Sequence, residues 1–295
     1  MDIAMPVQMD RVSTVFGEVR ALDEVSLTVP AGGIVGLVGP NGCGKTTLLS
    51  LVSGLRTPSR GRVCLFGGDP RSPRHRTLLG LTPQQSGLSE SSRVHELVSF
   101  VGRHFTDQEP TDALLREFHL EELAKRKVGG LSGGQQRLLA VALAFVGKPR
   151  LVLLDEPSTG LDVTARGWLW EVIRDHAARG VTIVLTSHYL EEVQALADRI
   201  VLMKAGRIVA DGTTQSVIAT NACSKVVITT TDGRVAQLPG VAHAAHTGDR
   251  YTLTVENVTE VTRALALSDI EYSDLDIVRA DLGQAFETLT EDGQS

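Results

Sequence analysis

Hydrophobic positions along this chain fall into short blocks. Val25, Leu27 and Val29 alternate with polar residues, the period of a half-buried strand, and Pro30 closes the run. Ile34-Val35-Gly36-Leu37-Val38 reads as a short buried strand that feeds a glycine-rich segment and then a helix from Thr46 to Leu55, with Gly54 near its end and Pro58 beyond. Residues 56–83 are turn-rich, with predicted strands around Val63–Phe66 and Leu78–Thr82. Residues 88–128 read as mostly helical, with Leu114, Leu115 and Phe118 at helical spacing. Leu151–Leu154 and Val181–Leu185 are continuous apolar runs of the kind buried on both faces of a parallel sheet, and a predicted helix from Thr164 to Arg179 joins them. Strands alternating with helices predict a parallel α/β core.

Near residue 215 the pattern changes. Lys225–Thr229 and Tyr251–Val255 read as strands, Asp232-Gly233 as a hairpin turn, and Thr259–Leu267 and Leu282–Leu289 as helices. Residues 216–295 are therefore expected to form a small α+β domain.

Composition narrows the classes. Hydrophobic residues make up 42% of the 295, enough for a globular core. Lysine and arginine number 29 against 35 acidic residues, a net charge of −6 that disfavours tight nucleic-acid binding. The arginines between Arg56 and Arg76 read as a solvated loop. The longest apolar run, Leu138–Val146, falls far short of the ~20 residues a spanning helix needs. No secretory signal is read at Met1–Pro6, and Cys43, Cys64 and Cys223 are too few and too scattered for a disulfide framework or a zinc site. A reducing cytoplasm is the expected compartment.

Three motifs carry chemistry. Gly39-Pro40-Asn41-Gly42-Cys43-Gly44-Lys45-Thr46 fits the phosphate-loop pattern, in which glycines let backbone N–H groups face one centre at a helix start. Lys45 can then reach the β- and γ-phosphates, and Thr46 can offer its hydroxyl to Mg²⁺. The apolar strand Leu151–Leu154 ends in Asp155 and Glu156, at the sheet edge where ligands bind; Asp155 suits Mg²⁺ and Glu156 suits the orientation and deprotonation of an attacking water. Leu131-Ser132-Gly133-Gly134-Gln135 places a second glycine-rich helix start far along the chain. Ser132 and Gln135 have capping-box spacing, and the two glycines add an uncovered anion site. One nucleotide needs one phosphate loop, so the second site makes sense if it closes over a nucleotide held by a partner chain.

In these residues the chain resembles the ATP-binding-cassette (ABC) nucleotide-binding domains, over about residues 7–215. The resemblance implies a P-loop NTPase fold of the α/β class, with a helical subdomain at about 85–145 and a domain boundary near 215. It implies an ATPase that binds ATP and Mg²⁺. Phe16, before Gly17, takes the place of the aromatic that stacks on adenine. Residues 39–46 and Thr47 contact the nucleotide. Gln84, after Thr82-Pro83, matches the glutamine that senses Mg²⁺ and the attacking water; Gln85 is the neighbouring register, and Pro83 favours Gln84. Ser158 to Asp162 matches the loop crossing the dimer interface, although Asp162 also suits a helix cap. His188 matches the histidine at the γ-phosphate.

The implied assembly is a head-to-tail homodimer or paired cassette with ATP between Gly39–Thr46 of one chain and Ser132–Gln135 of the other. An integral membrane permease is the implied partner, with the chain on the inner face of the cell membrane. Asp198-Arg199-Ile200-Val201, Gly206–Gly212 and the tail from Asp281 to Thr290 resemble bacterial drug- and antibiotic-export cassettes, so export is expected, with an importer ATPase or a soluble cassette acting on DNA or ribosomes as alternatives. The interval from Lys45 to Leu131 is too short for the coiled coil of repair-type cassettes. Glu156 and His188 argue against a non-hydrolysing module. Cys43 stands where the family has Ser or Ala. Beside Lys45 and a helix start it has the surroundings of a lowered thiol pKa, so either a reactive thiol or a small residue that fits is expected.

Overall fold

The computed structural model describes residues 5–84 and 87–291. They form two compact units, Met1–Thr213 and Thr214–Ser295.

The first unit opens with an antiparallel hairpin of β1 (Val7–Phe16) and β2 (Val19–Val29). Then come β3 (Ile34–Val38), α1 (Lys45–Val52), β4 (Arg60–Leu65), the single turn α2 (Pro73–Arg76) and β5 (Leu79–Thr82). The stretch expected to be mostly helical breaks into α3 (Val94–Gly102), α4 (Thr111–Glu117) and two 3-10 turns before α5 (Gly133–Phe145). The remaining elements are β6 (Leu151–Asp155), α6 (Val163–Ala178), β7 (Thr182–Thr186), α7 (Leu190–Leu196), β8 (Arg199–Lys204) and β9 (Arg207–Thr213).

Two sheets result. The larger has the order β5-β6-β7-β3-β8-β9, parallel up to β8 and antiparallel at β9. The smaller is antiparallel, in the order β2-β1-β4. Every residue of β3, β6 and β7 is buried, which is why these strands read as unbroken apolar runs. Helix α1 packs against both sheets: Leu48, Leu49, Leu51 and Val52 share one apolar cluster with Val12, Leu27 and Leu65 of the small sheet and with Val35, Leu153 and Val201 of the large one. The phosphate-loop segment therefore ends on a helix that is held from both sides. The parallel α/β core that the alternating strands and helices predict is thus present.

The second unit contains α8 (Thr214–Asn221), β10 (Ser224–Thr229), a 3-10 helix (Gly233–Gln237), β11 (Val241–Thr247), β12 (Arg250–Val255), α9 (Val258–Leu267), β13 (Asp274–Val278) and α10 (Leu282–Glu291). Its antiparallel sheet runs β11-β12-β10-β13. Counted within the unit the strand order is 2-3-1-4, the ferredoxin-like arrangement, with the first helix reduced to the 3-10 segment. Val226, Ile228, Leu253 and Val255 pack on Val261 and Leu265 of α9. Asp232-Gly233 is not the hairpin turn expected. Asp232 instead caps the 3-10 helix, its carboxylate accepting from the Arg234 amide at 3.0 Å. The Asp side chain that favours a turn serves a short helix equally well. The tight turn lies between β11 and β12, around Gly248, whose φ is 60°.

Because α1 is enclosed on both sides, Leu49→Ala should leave a cavity that neither sheet can collapse to fill. The expected cost is about 2–5 kcal/mol, measured as a lowered denaturant midpoint of the first unit.

Candidate active site

Residues 39–44 join β3 to α1 by a turn that other packing already dictates. Gly44 has φ 109°, and a Cβ there would lie 2.5 Å from the Ala21 carbonyl oxygen. A Cβ on Gly39 would press on the Met203 carbonyl and the Cys43 sulfur. The Lys45 side chain, only 7% exposed, folds into the curl and donates to the carbonyls of Gly39 at 2.7 Å and Pro40 at 3.1 Å. At the second residue of α1, Thr46 Oγ1 donates to Asp155 Oδ2 at 2.9 Å. Thr186 Oγ1, at the end of β7, donates to Asp155 Oδ1 at 2.6 Å. Asp155 is thus held between a helix start and a neighbouring strand. Beside it opens a cleft of about 260 Å³ lined by Ala21, Asn41, Gly42, Gly44, Lys45, Thr46, Thr47, Gln84 and Glu156.

Glu156 adopts φ 51°, a left-handed conformation that is costly for a side-chain-bearing residue and concentrated at functional sites. Its N–H is fixed by Thr186, donating to the hydroxyl at 2.9 Å and the carbonyl at 3.1 Å. Two groups meet at its Oε2: Thr159 Oγ1 donates at 3.2 Å, and His188 Nδ1 lies 3.3 Å away. The His188 ring packs on Tyr189 with centroids 3.9 Å apart, and the Arg166 guanidinium covers the Tyr189 ring at 4.6 Å.

Arg137 was not legible as a site residue. It lies on the second turn of α5, 8% exposed, and its guanidinium is surrounded by carbonyls. It donates to Pro83 at 2.7 Å, Gln84 at 3.4 Å, Glu156 at 3.0 Å and Pro157 at 3.3 Å, and also to Asp155. Burial lowers its pKa from the ordinary arginine value, and the charges of Asp155 and Glu156 oppose that. Its sequence signal is slight: a lone cation just before the apolar run that begins at Leu138.

The second glycine-rich segment opens α5 with a complete capping box. Ser132 Oγ accepts from the Gln135 amide at 3.2 Å, and Gln135 Oε1 accepts from the Ser132 amide at 3.0 Å. Helix geometry leaves the amides of Gly133 and Gly134 without intrahelical acceptors. A Cβ on Gly134 would come within 3.2 Å of the Gly160 carbonyl oxygen, so the 158–162 loop abuts this helix start. Asp162 caps α6, accepting from the Ala165 amide at 2.8 Å. Neither Ser132–Gln135, Asp162 nor Phe16 lines the cleft. Phe16 stands at the tip of the β1–β2 hairpin, 41% exposed, with the Arg56 guanidinium 4.8 Å from its ring centre. Gln85 lies outside the described residues.

Of the two readings left open for Cys43, burial favours the small residue that fits. Its side chain is buried in the cluster that packs α1 between the sheets. Burial pushes the thiol pKa up, and the opposing pull of the Lys45 ammonium, 4.0 Å from the sulfur, does not overcome it. The small-residue reading fits.

Comparisons with known proteins decide the family. A family model described as ABC transporter matches residues 22–159. Nod factor export ATP-binding protein I of Burkholderia lata is 40% identical over 220 residues, covering 72% of each chain. The chain belongs to the ABC transporter ATP-binding family. It is accordingly an ATP-binding ATPase cassette. Daunorubicin resistance ATP-binding protein DrrA3 of Streptomyces coeruleorubidus is 33% identical to the cassette, across 97% of this chain and 96% of that one. A solved structure described as the ATP-binding subunit of an ABC transporter matches with TM-score 0.67 and 27% identity, over 72% of this chain and 92% of that chain.

Two outcomes follow from this geometry. A maleimide at neutral pH is expected to modify exposed Cys223 first and Cys43 last, as followed by peptide mass spectrometry; fast loss of the Cys43 thiol in the folded cassette would contradict its burial. Arg137→Met removes the donor that several buried carbonyls share. It should cost about 3 kcal/mol or more in unfolding free energy.

Proposed function

We propose that this cassette is the ATP-hydrolysing subunit of an exporter, working as a head-to-tail pair on the inner face of the membrane beneath a separate permease. The observation that carries the hydrolytic part is the Asp155 carboxylate set between Thr46 and Thr186, with Glu156 and His188 in contact directly beside it. The loop amides and Lys45 would cradle the phosphates, Lys45 exchanging its bonds to the Gly39 and Pro40 carbonyls for phosphate oxygens. Glu156 would orient the attacking water and take its proton, and His188 would contact the γ-phosphate. Phe16 would stack on adenine through its exposed face.

The donors fit Mg²⁺. The Thr46 hydroxyl and the Asp155 carboxylate sit 2.9 Å apart, and Gln84 lines the same cleft, a hard-oxygen set suited to a cation that keeps several waters and binds substrate phosphates. Bound there, Mg²⁺ supplies neutralisation of charge developing on the phosphoryl oxygens.

Pairing rests on the Ser132–Gln135 helix start, which stands outside the cleft of its own chain. We assign it, with Asp162, to the nucleotide of the partner cassette. Export rests on the near full-length similarity to a relative named for daunorubicin resistance and on the similarity to relatives named for Nod factor export. No described helix is long and apolar enough to cross a membrane. For the permease contact we favour α3, where Phe100 is 60% exposed on a groove of about 610 Å³ that also includes Ser92, His95 and Arg103.

Glu156→Gln tests the reading. The variant should bind ATP, accumulate as a dimer on size-exclusion chromatography, and hydrolyse about 10²–10⁴-fold more slowly. A strictly monomeric variant at saturating ATP and Mg²⁺ counts against the pair, and an undiminished rate counts against Glu156 as the base.

A further inference from the structure

Glu192, on α7, is fully buried and lies outside the lining of the cleft. A carboxylate removed from water is costly unless donors replace its hydration. Three do so here, from three segments. Ser158 Oγ donates to Oε2 at 2.7 Å, Ser187 Oγ donates to the same oxygen at 2.5 Å, and Trp170 Nε1 on α6 donates to Oε1 at 3.0 Å. Ser187 Oγ also accepts from the Tyr189 amide at 3.0 Å. The neighbouring Glu191 is exposed, so the burial is particular to Glu192.

The two serines stand one residue before the two groups that meet at Glu156. Ser158 precedes Thr159, and Ser187 precedes His188; Thr159 Oγ1 and His188 Nδ1 both contact Glu156 Oε2. The two loops are thus tied together at one carboxylate oxygen and converge again at another. We propose that Glu192 is a positioning residue that sets the separation of the 158–162 loop and the Ser187–His188 step, so that a shift in either loop is felt by the other and by Glu156. This rests on the ATPase reading above and adds to it a link between the loop assigned to the partner-facing surface and the histidine of the same chain.

The donor pattern supplies a selective probe. Tryptophan can only donate, so in Glu192→Gln the amide oxygen must stay with Trp170. The NH₂ group then faces the two serines, whose hydroxyls must turn from donors to acceptors of an uncharged partner, so the bonds of Ser158 and Ser187 change in direction and strength while the Trp170 bond is kept. In the full chain, Glu192→Gln should lower kcat for ATP roughly ten- to a hundredfold while KM moves by less than about threefold, because misplacement at the reacting groups is costly and the cleft lining is untouched. Ser158→Ala and Ser187→Ala should each lower kcat, and neither should lower it further when combined with Glu192→Gln. Glu191→Gln should behave as wild type. Hydrogen exchange gives a readout independent of turnover: Ser158→Ala should speed exchange at Tyr189, and Ser187→Ala should speed it at Thr159–Leu161.

Exchange effects confined to the mutated loop would overturn the proposal. So would a wild-type kcat in Glu192→Gln, or serine effects that add in full to it. Joint loss of kcat, KM and unfolding midpoint would reduce Glu192 to a fold-stabilising group and would likewise overturn it. A wild-type chain without ATPase activity would instead strike the functional reading, and the exchange experiment would still decide the coupling.

Discussion

The guanidinium of Arg137 is a buried cation solvated by backbone. Its acceptors come from the ends of two adjacent parallel strands: Pro83 and Gln84 after β5, and Asp155, Glu156 and Pro157 at and after β6. At the C-terminal edge of a parallel sheet the carbonyls of separating segments lose their ladder partners, and buried carbonyls need donors. One planar fork supplies them. Because Arg137 rides on α5, whose first residues follow the Ser132 cap, the same contact fixes the second glycine-rich site relative to the acidic pair. Charged hydrogen bonds of this kind are stronger than neutral ones and directional, so they define geometry as well as affinity.

Apolar burial and polar contacts divide the site between them. Helix α1 is wedged between two sheets by Leu48, Leu49, Leu51 and Val52. Its end of the site is therefore set by close packing, where a displacement opens voids. The side facing it, with Gln84, Glu156, Thr159 and His188, is held by hydrogen bonds and polar contacts, which can lengthen or change partner at smaller cost. Under the proposed pairing, the contacts free to adjust as the site opens and closes would lie on that second side.

What the sequence showed of this follows the same division. The strands Ile34–Val38 and Leu151–Leu154 were legible because burial on both faces leaves an unbroken apolar run. The phosphate loop was legible because its glycines are set by local backbone shape. Strand β1 was not read: its alternation is interrupted by register shifts between Met9 and Val12 and again near Thr14, with Arg11 at φ 43°. Bulges of this kind erase the period on which a strand is recognised. Arg137 and Glu192, and the bonds that Ser158 and Ser187 make to Glu192, were invisible for another reason. Nothing in residue type marks them, and their importance lies in which carbonyl or hydroxyl the fold brings beside them. Cys43 was left between two readings because charged neighbours are visible along the chain whereas burial, the larger influence on its thiol, is not.

Gly39 and Gly44 carry a further implication for how such a loop tolerates change. Each is hemmed in by this protein's own backbone, Gly44 by Ala21 and Gly39 by Met203. The space denied to a side chain there is denied by β2 and β8, whether or not a phosphate is near. A lineage in which nucleotide binding had ceased to matter would still be obliged to keep both glycines to retain the fold. Their presence alone is therefore weak testimony to ATP use, whereas Thr46, Asp155 and Glu156, which the packing does not demand in the same way, are the positions at which drift would first betray a cassette that had stopped hydrolysing.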